Sequence, residues 1–145
     1  MLFRSGARMF VGMSSSTSAP TNVEPSTLTN CVGMAQLSTD STQLYLVYGG
    51  SSAQTAIALG STNFSISTAV PYELALFAPA GVSATIYYQA TNLANGTTTS
   101  GTLSGGTTII PNSTTLLAPH FWRTNNATAL AVGIDICNLY VETDQ

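Results

Sequence analysis

The chain contains no lysine, and its only cations apart from the amino terminus are Arg4, Arg8 and Arg123. With six carboxylates beside them, charged residues make up 6% of 145 positions and the net charge is −3; an average globular chain is about 25% charged. Three arginines neutralise too few phosphates for useful affinity, so nucleic acid is excluded as a partner. Long apolar runs are missing too. Stretches such as Leu74 to Ala80 fall far short of the roughly 20 residues that span a bilayer, and no membrane insertion is expected. The opening residues lack the apolar region of about 7–15 residues that marks a signal peptide. The four Asn-x-Ser/Thr sequons, at Asn63, Asn95, Asn112 and Asn126, are read accordingly as a product of Ser/Thr abundance.

Reactive side chains are as sparse as charges. One histidine, His120, and two cysteines, Cys31 and Cys137, lack the ligand spacing zinc requires, so no metal and no other cofactor is expected. Both cysteines sit in apolar, strand-like contexts and read as buried free thiols; a disulfide closing a long loop is the alternative. Glu73, Asp135 and Glu142 are the strand-borne carboxylates, and nothing in the sequence pairs any two of them as glycoside hydrolysis demands. His120 has no nucleophile elbow beside it. The segments Tyr48-Gly49-Gly50-Ser51 and Ser104-Gly105-Gly106-Thr107 lack the lysine of a phosphate loop and read as turns. The chain is therefore not expected to be an enzyme.

What is present is material for a core: 44% of residues are hydrophobic, unlike a disordered chain. Short apolar-alternating segments follow one another between Gly, Pro, Ser and Thr clusters. They are Arg8–Met13, Asn30–Ala35, Gln43–Tyr48, a weaker Thr55–Leu59, Tyr72–Phe77, Ser83–Ala90, Thr97–Leu103, a Pro-interrupted Leu116–Trp122, and a long Thr128–Glu142. Asn95-Gly96 is the strongest hairpin signal among them. No apolar stripe of helical period persists, and only Val23–Leu28 suggests a helical turn. Eight or nine strands at this spacing predict an all-β fold, a two-sheet antiparallel β-sandwich of jelly-roll-like type, with one domain over 9–145 behind a leader of residues 1–8.

Hydroxyls and amides dominate the surface, so copies repel one another weakly, as suits a subunit of an assembly. The same chemistry suits sugars, which bind through aromatic faces beside amides and hydroxyls. Tyr45, Tyr48 and Trp122 are the candidate faces, with Arg123 and Asn125 as hydrogen-bonding groups. Tyr87, Tyr88, Gln43, Gln89 and Asn126 offer the same residue types. Strand alternation sends one of Tyr87 and Tyr88 inward and the other out. A lone Trp in a β domain also serves as a core or interface residue.

Three stretches together carry a resemblance. Arg8-Met9-Phe10-Val11-Gly12-Met13 with its Ser/Thr loop comes first, then Tyr72-Glu73-Leu74-Ala75-Leu76-Phe77-Ala78-Pro79. The third runs from Pro119-His120-Phe121-Trp122-Arg123-Thr124-Asn125-Asn126 to Leu139-Tyr140-Val141-Glu142-Thr143-Asp144. From about Arg8 onward the chain resembles the carboxy-terminal β-sandwich domains of tailed-bacteriophage tail fibres and tailspikes. The resemblance implies a jelly-roll-like module, usually a homotrimer, located in the virion. Such a module contacts host surface polysaccharide or aids trimer assembly, and brings no catalytic residues with it. Members of that family commonly sit behind a long shaft, whereas this sequence starts at Met1. The expectation is a separately made module or a small protein attached to a larger virion protein, with Arg4 and Arg8 in a docking arm. A capsid or tail decoration or trimer-stabilising subunit without a ligand is the competing expectation.

Overall fold

A computed structural model describes residues 6–19, 22–80, 84–126 and 131–143. The alternating segments pair into eight strands: β1 (Arg8–Ser14), β2 (Cys31–Gln36), β3 (Tyr45–Gly49), β4 (Ile57–Ala58), β5 (Tyr72–Phe77), β6 (Thr85–Asn92), β7 (Thr97–Ser104) and β8 (Ala118–Thr124). They form two antiparallel sheets, one of five strands in the order β4-β3-β2-β1-β8 and one of three in the order β5-β6-β7. The fold is an all-β sandwich. Each sheet is built from hairpin-connected neighbours, and β8 returns after the second sheet to lie beside β1. The order β8-β1-β2-β3 is thus a Greek-key arrangement. Among the described residues no helix is long and apolar enough to cross a membrane.

Two apolar clusters hold the sheets. Between them lie Met9, Val32, Met34, Leu44, Leu46, Phe64, Ile86, Tyr88, Ala90 and Leu103. On the opposite face of the five-stranded sheet, Phe10, Cys31, Ala35, Val47 and Trp122 form a second cluster with Leu28 and Leu37. Two-sided burial explains why β2 reads Cys-Val-Gly-Met-Ala-Gln and is buried at every position: a strand covered on both faces has no polar side to show. Among the described residues the three-stranded sheet is covered on one face only, and β5 alternates half-buried and exposed along its length.

The second cluster is roofed by the Ser/Thr loop after β1, which makes a single 3-10 turn at Pro25–Thr27, within the window where the sequence suggests one. Glu24 pins this loop. Its carboxylate accepts from Arg8 Nε at 2.7 Å and from the Ser38 backbone N–H at 3.0 Å. Burial acts to raise the Glu24 pKa, but the Ser38 and Arg8 hydrogen bonds outweigh it and the net shift is downward. Arg8 also donates to Asn22 Oδ1 and to Asn126 Oδ1, so its guanidinium ties the domain's own loops together. Arg4 lies outside the described residues.

The end of the chain departs from expectation. The sequence predicts a strand over Thr128–Glu142; residues 127–130 lie outside the described residues, and 131–143 carry no strand. The periodicity is real, but a strand exists only where an edge receives its backbone, and no described element does so. The disulfide alternative also fails: both cysteines are free, Cys31 buried and Cys137 exposed. Cys137 therefore departs from the buried-thiol reading, because it lies beyond Ile134, the last half-buried residue of its segment, where 135–143 are all exposed.

Candidate functional site

The structure does not bring the five sequence-predicted binding residues together. Trp122 and Tyr45 point to the loop-covered face of the five-stranded sheet, three strand spacings apart, about 14 Å. Trp122 is 6% exposed and stacks on Phe10, ring centroids 6.4 Å apart. The Tyr45 hydroxyl donates to Asp40 Oδ2 at 2.6 Å, with Gln43 and Thr42 donating to the same carboxylate. These hydrogen bonds, that from Thr42 foremost, hold the Asp40 pKa well below the usual carboxylate range. Tyr48 and Arg123 occupy the other face. Tyr48 packs against the inter-sheet core, and Arg123 Nη2 donates to Gln36 Oε1 at 2.9 Å. Burial pushes the Arg123 pKa down. Asn125, half-buried just past β8, is partnered within the chain.

A converging surface lies instead on the outer face of the three-stranded sheet. Period-2 alternation turns Ala75 and Phe77 on β5, Tyr87 and Gln89 on β6, and Ser100 and Thr102 on β7 toward solvent. The ladder sets Phe77 opposite Tyr87, and Gln89 between Ala75 and Ser100. Phe77 and Tyr87 are 60% and 46% exposed and stack with centroids 6.2 Å apart and planes inclined by 24°. They wall a shallow trough of 340 Å³ whose other side is Gln89, Ser100 and Thr102. The Tyr pair divides as alternation requires. Tyr88 turns inward and lies over Gly101, where an added Cβ would meet its hydroxyl at 2.7 Å; the missing side chain makes room for the ring.

A second, smaller cleft of 220 Å³ opens between the Ser/Thr loop and β8, lined by Ser14, Ser16, Ser18, Val23, His120 and Trp122. Its aromatic floor is nearly covered, and the Ser14 hydroxyl already accepts the Ser16 N–H at 3.1 Å.

No family model, curated protein or solved structure matches the chain. The functional case therefore rests on surface chemistry. The outer trough combines exposed ring area with amide and hydroxyl groups whose side chains make no hydrogen bond among the described residues. Among the described residues no three of His, Cys, Asp and Glu come together.

Sequence reasoning included Tyr87 and Gln89 among its aromatic and amide groups but missed Phe77. The signal that finds all three is the register of β5 on β6, which follows once Tyr72–Phe77 and Thr85–Asn92 are aligned as antiparallel neighbours.

Proposed function

We propose that the protein is a non-enzymatic virion protein of a bacteriophage tail, acting as a homotrimer joined to a larger virion protein. In this reading it recognises host-surface polysaccharide on the outer face of its three-stranded sheet. The observation that carries the recognition step is the exposed Phe77–Tyr87 stack beside Gln89, Ser100 and Thr102. Apolar sugar faces cover aromatic rings, while ring hydroxyls exchange hydrogen bonds with amides and hydroxyls, and no charge is needed. The placement in a phage tail is supported by the resemblance of the three sequence stretches given above, and the assembly by the scarcity of charge.

The test is adsorption to host cells and to purified surface polysaccharide by a Phe77→Ala/Tyr87→Ala protein. Loss of binding by about tenfold or more, which is about 1.4 kcal/mol, is expected. Undiminished binding by the folded double variant would overturn the glycan reading, and polysaccharide turnover by the wild-type protein would replace it with a hydrolase.

The second reading is a structural decoration or trimer-stabilising subunit without a ligand. It is favoured by the exposure of Leu139, Tyr140 and Val141, an apolar surface suited to a protein neighbour.

A further inference from the structure

We propose that residues 136–143 are a donated strand, adding to the open β5 edge of the three-stranded sheet of a second copy of this chain. The inference rests on the homotrimer reading above and says how the copies are joined.

The donor is a segment with strand chemistry and no sheet. Val132 and Ile134 stay half-buried on their own domain, and Ile134 packs against the inter-sheet core. From Asp135 to Thr143 every residue is exposed, Leu139 at 54% and Tyr140 at 77%. The Tyr140 hydroxyl donates to Glu142 Oε2 at 2.7 Å, a contact between positions two apart, as side chains on one face of an extended backbone make. That contact sorts the arm into two faces: Cys137, Leu139 and Val141 with Thr143 at the end on one, mainly apolar, and Ile136, Asn138, Tyr140 and Glu142 on the other.

Strand β5 is divided in the same way. Tyr72, Leu74 and Leu76 turn to the core, while Glu73, Ala75 and Phe77 face outward, with one acid and one aromatic among them. An arm laid beside β5 would continue both faces: Leu139 and Val141 would extend the sandwich interior, and Tyr140 would join Phe77 on the outer side. The partner copy would then add a ring to the aromatic surface.

The other edges fit less well. Strand β4 has two residues. Pro119 removes a ladder donor from β8, and the outward positions of β7 hold only Thr and Ser. Natural edges are commonly guarded by lysine or proline; this chain has no lysine, and β5 contains neither. Eight extended residues reach about 26 Å, enough to cover a six-residue strand. Each copy offers one arm and one such edge, so head-to-tail exchange around a closed ring leaves neither unmatched.

The experiment is sedimentation of the full chain and of its Leu139→Asp variant at micromolar concentration, with amide hydrogen exchange on both. The expected result is an assembled wild type whose amides in 136–143 and β5 exchange about tenfold or more slowly than in a folded, monomeric variant. A monomeric wild type would remove the homotrimer reading and this inference with it. A variant that still assembles, or an assembled wild type with a fast-exchanging arm, would overturn strand donation alone and leave self-association standing.

Discussion

Gly12 and Gly33 face each other across β1 and β2 with no room for a methyl group on either. A Cβ on Gly33 would lie 2.8 Å from the Gly12 Cα and 2.8 Å from Phe10 Cε2, and one on Gly12 would meet the Val32 carbonyl at 2.3 Å. The pair lets the Phe10 ring settle over bare backbone at the centre of the five-stranded sheet. Gly33→Ala is accordingly expected to destabilise the domain by about 2 kcal/mol through overpacking, read as a lower denaturant midpoint; Gly12→Ala, opposed by backbone on the β2 side, should cost more.

Trp122 belongs to the same cluster. Its truncation to Ala is expected to cost about 3 kcal/mol, because it empties a large buried site against Phe10. Thermal unfolding of Trp122→Ala checks this. Any binding loss in that variant should follow its loss of folded protein and vanish when corrected for it.

Tyr87→Ala makes the opposite prediction. The side chain is exposed on a face that no described element covers, so stability should stay within about 0.5 kcal/mol of wild type. Chemical denaturation of that variant separates a recognition role from a structural one.

Glu24 gives the fold a pH dependence of known sign. Burial acts to raise its folded pKa, but hydrogen bonds from Ser38 and Arg8 outweigh it and hold the carboxyl below its ordinary value. The unfolded chain therefore takes up the proton first as pH falls. The stabilisation is complete above the unfolded pKa and is lost as pH drops through the folded one. Glu24→Gln is expected to lose about 1 kcal/mol at neutral pH and to show a flatter stability profile below about pH 5. Denaturant midpoints measured across that range check both.

The two thiols should behave differently. Burial pushes the Cys31 pKa up to about 12, so it holds its proton at neutral pH and should resist alkylation until the protein unfolds. Cys137 lies on the apolar face of the arm. In the Leu139→Asp variant it should label freely, which mass spectrometry of the modified peptides will show.

Much of this architecture was legible in the residues, for a physical reason: one-sided burial writes itself as alternation. Strands β5 and β6 show it plainly, and Asn95-Gly96 marks the turn into β7, with Gly96 at φ 73°. Two-sided burial erases the signal. From sequence β2 was a strand, but nothing in Cys-Val-Gly-Met-Ala-Gln announced the loop covering its second face. That same loop hides Trp122, so the most conspicuous aromatic in the sequence is nearly shut from solvent while Phe77, unmarked in the sequence, stands open. The arm shows the limit from the other side. Alternation at Leu130, Val132, Ile134 and Ile136 states what the segment is able to do, and the edge that receives it is not written in the segment.

The sandwich is thus asymmetric in its tolerance of change. Substitutions in the five-stranded sheet meet packed neighbours above and below. Outward positions 75, 77, 87, 89, 100 and 102 hang over a finished interior, free to be rewritten singly or together. A library randomised at these six sites should yield mostly folded proteins, making the face a natural place to retarget specificity while the scaffold beneath stays fixed.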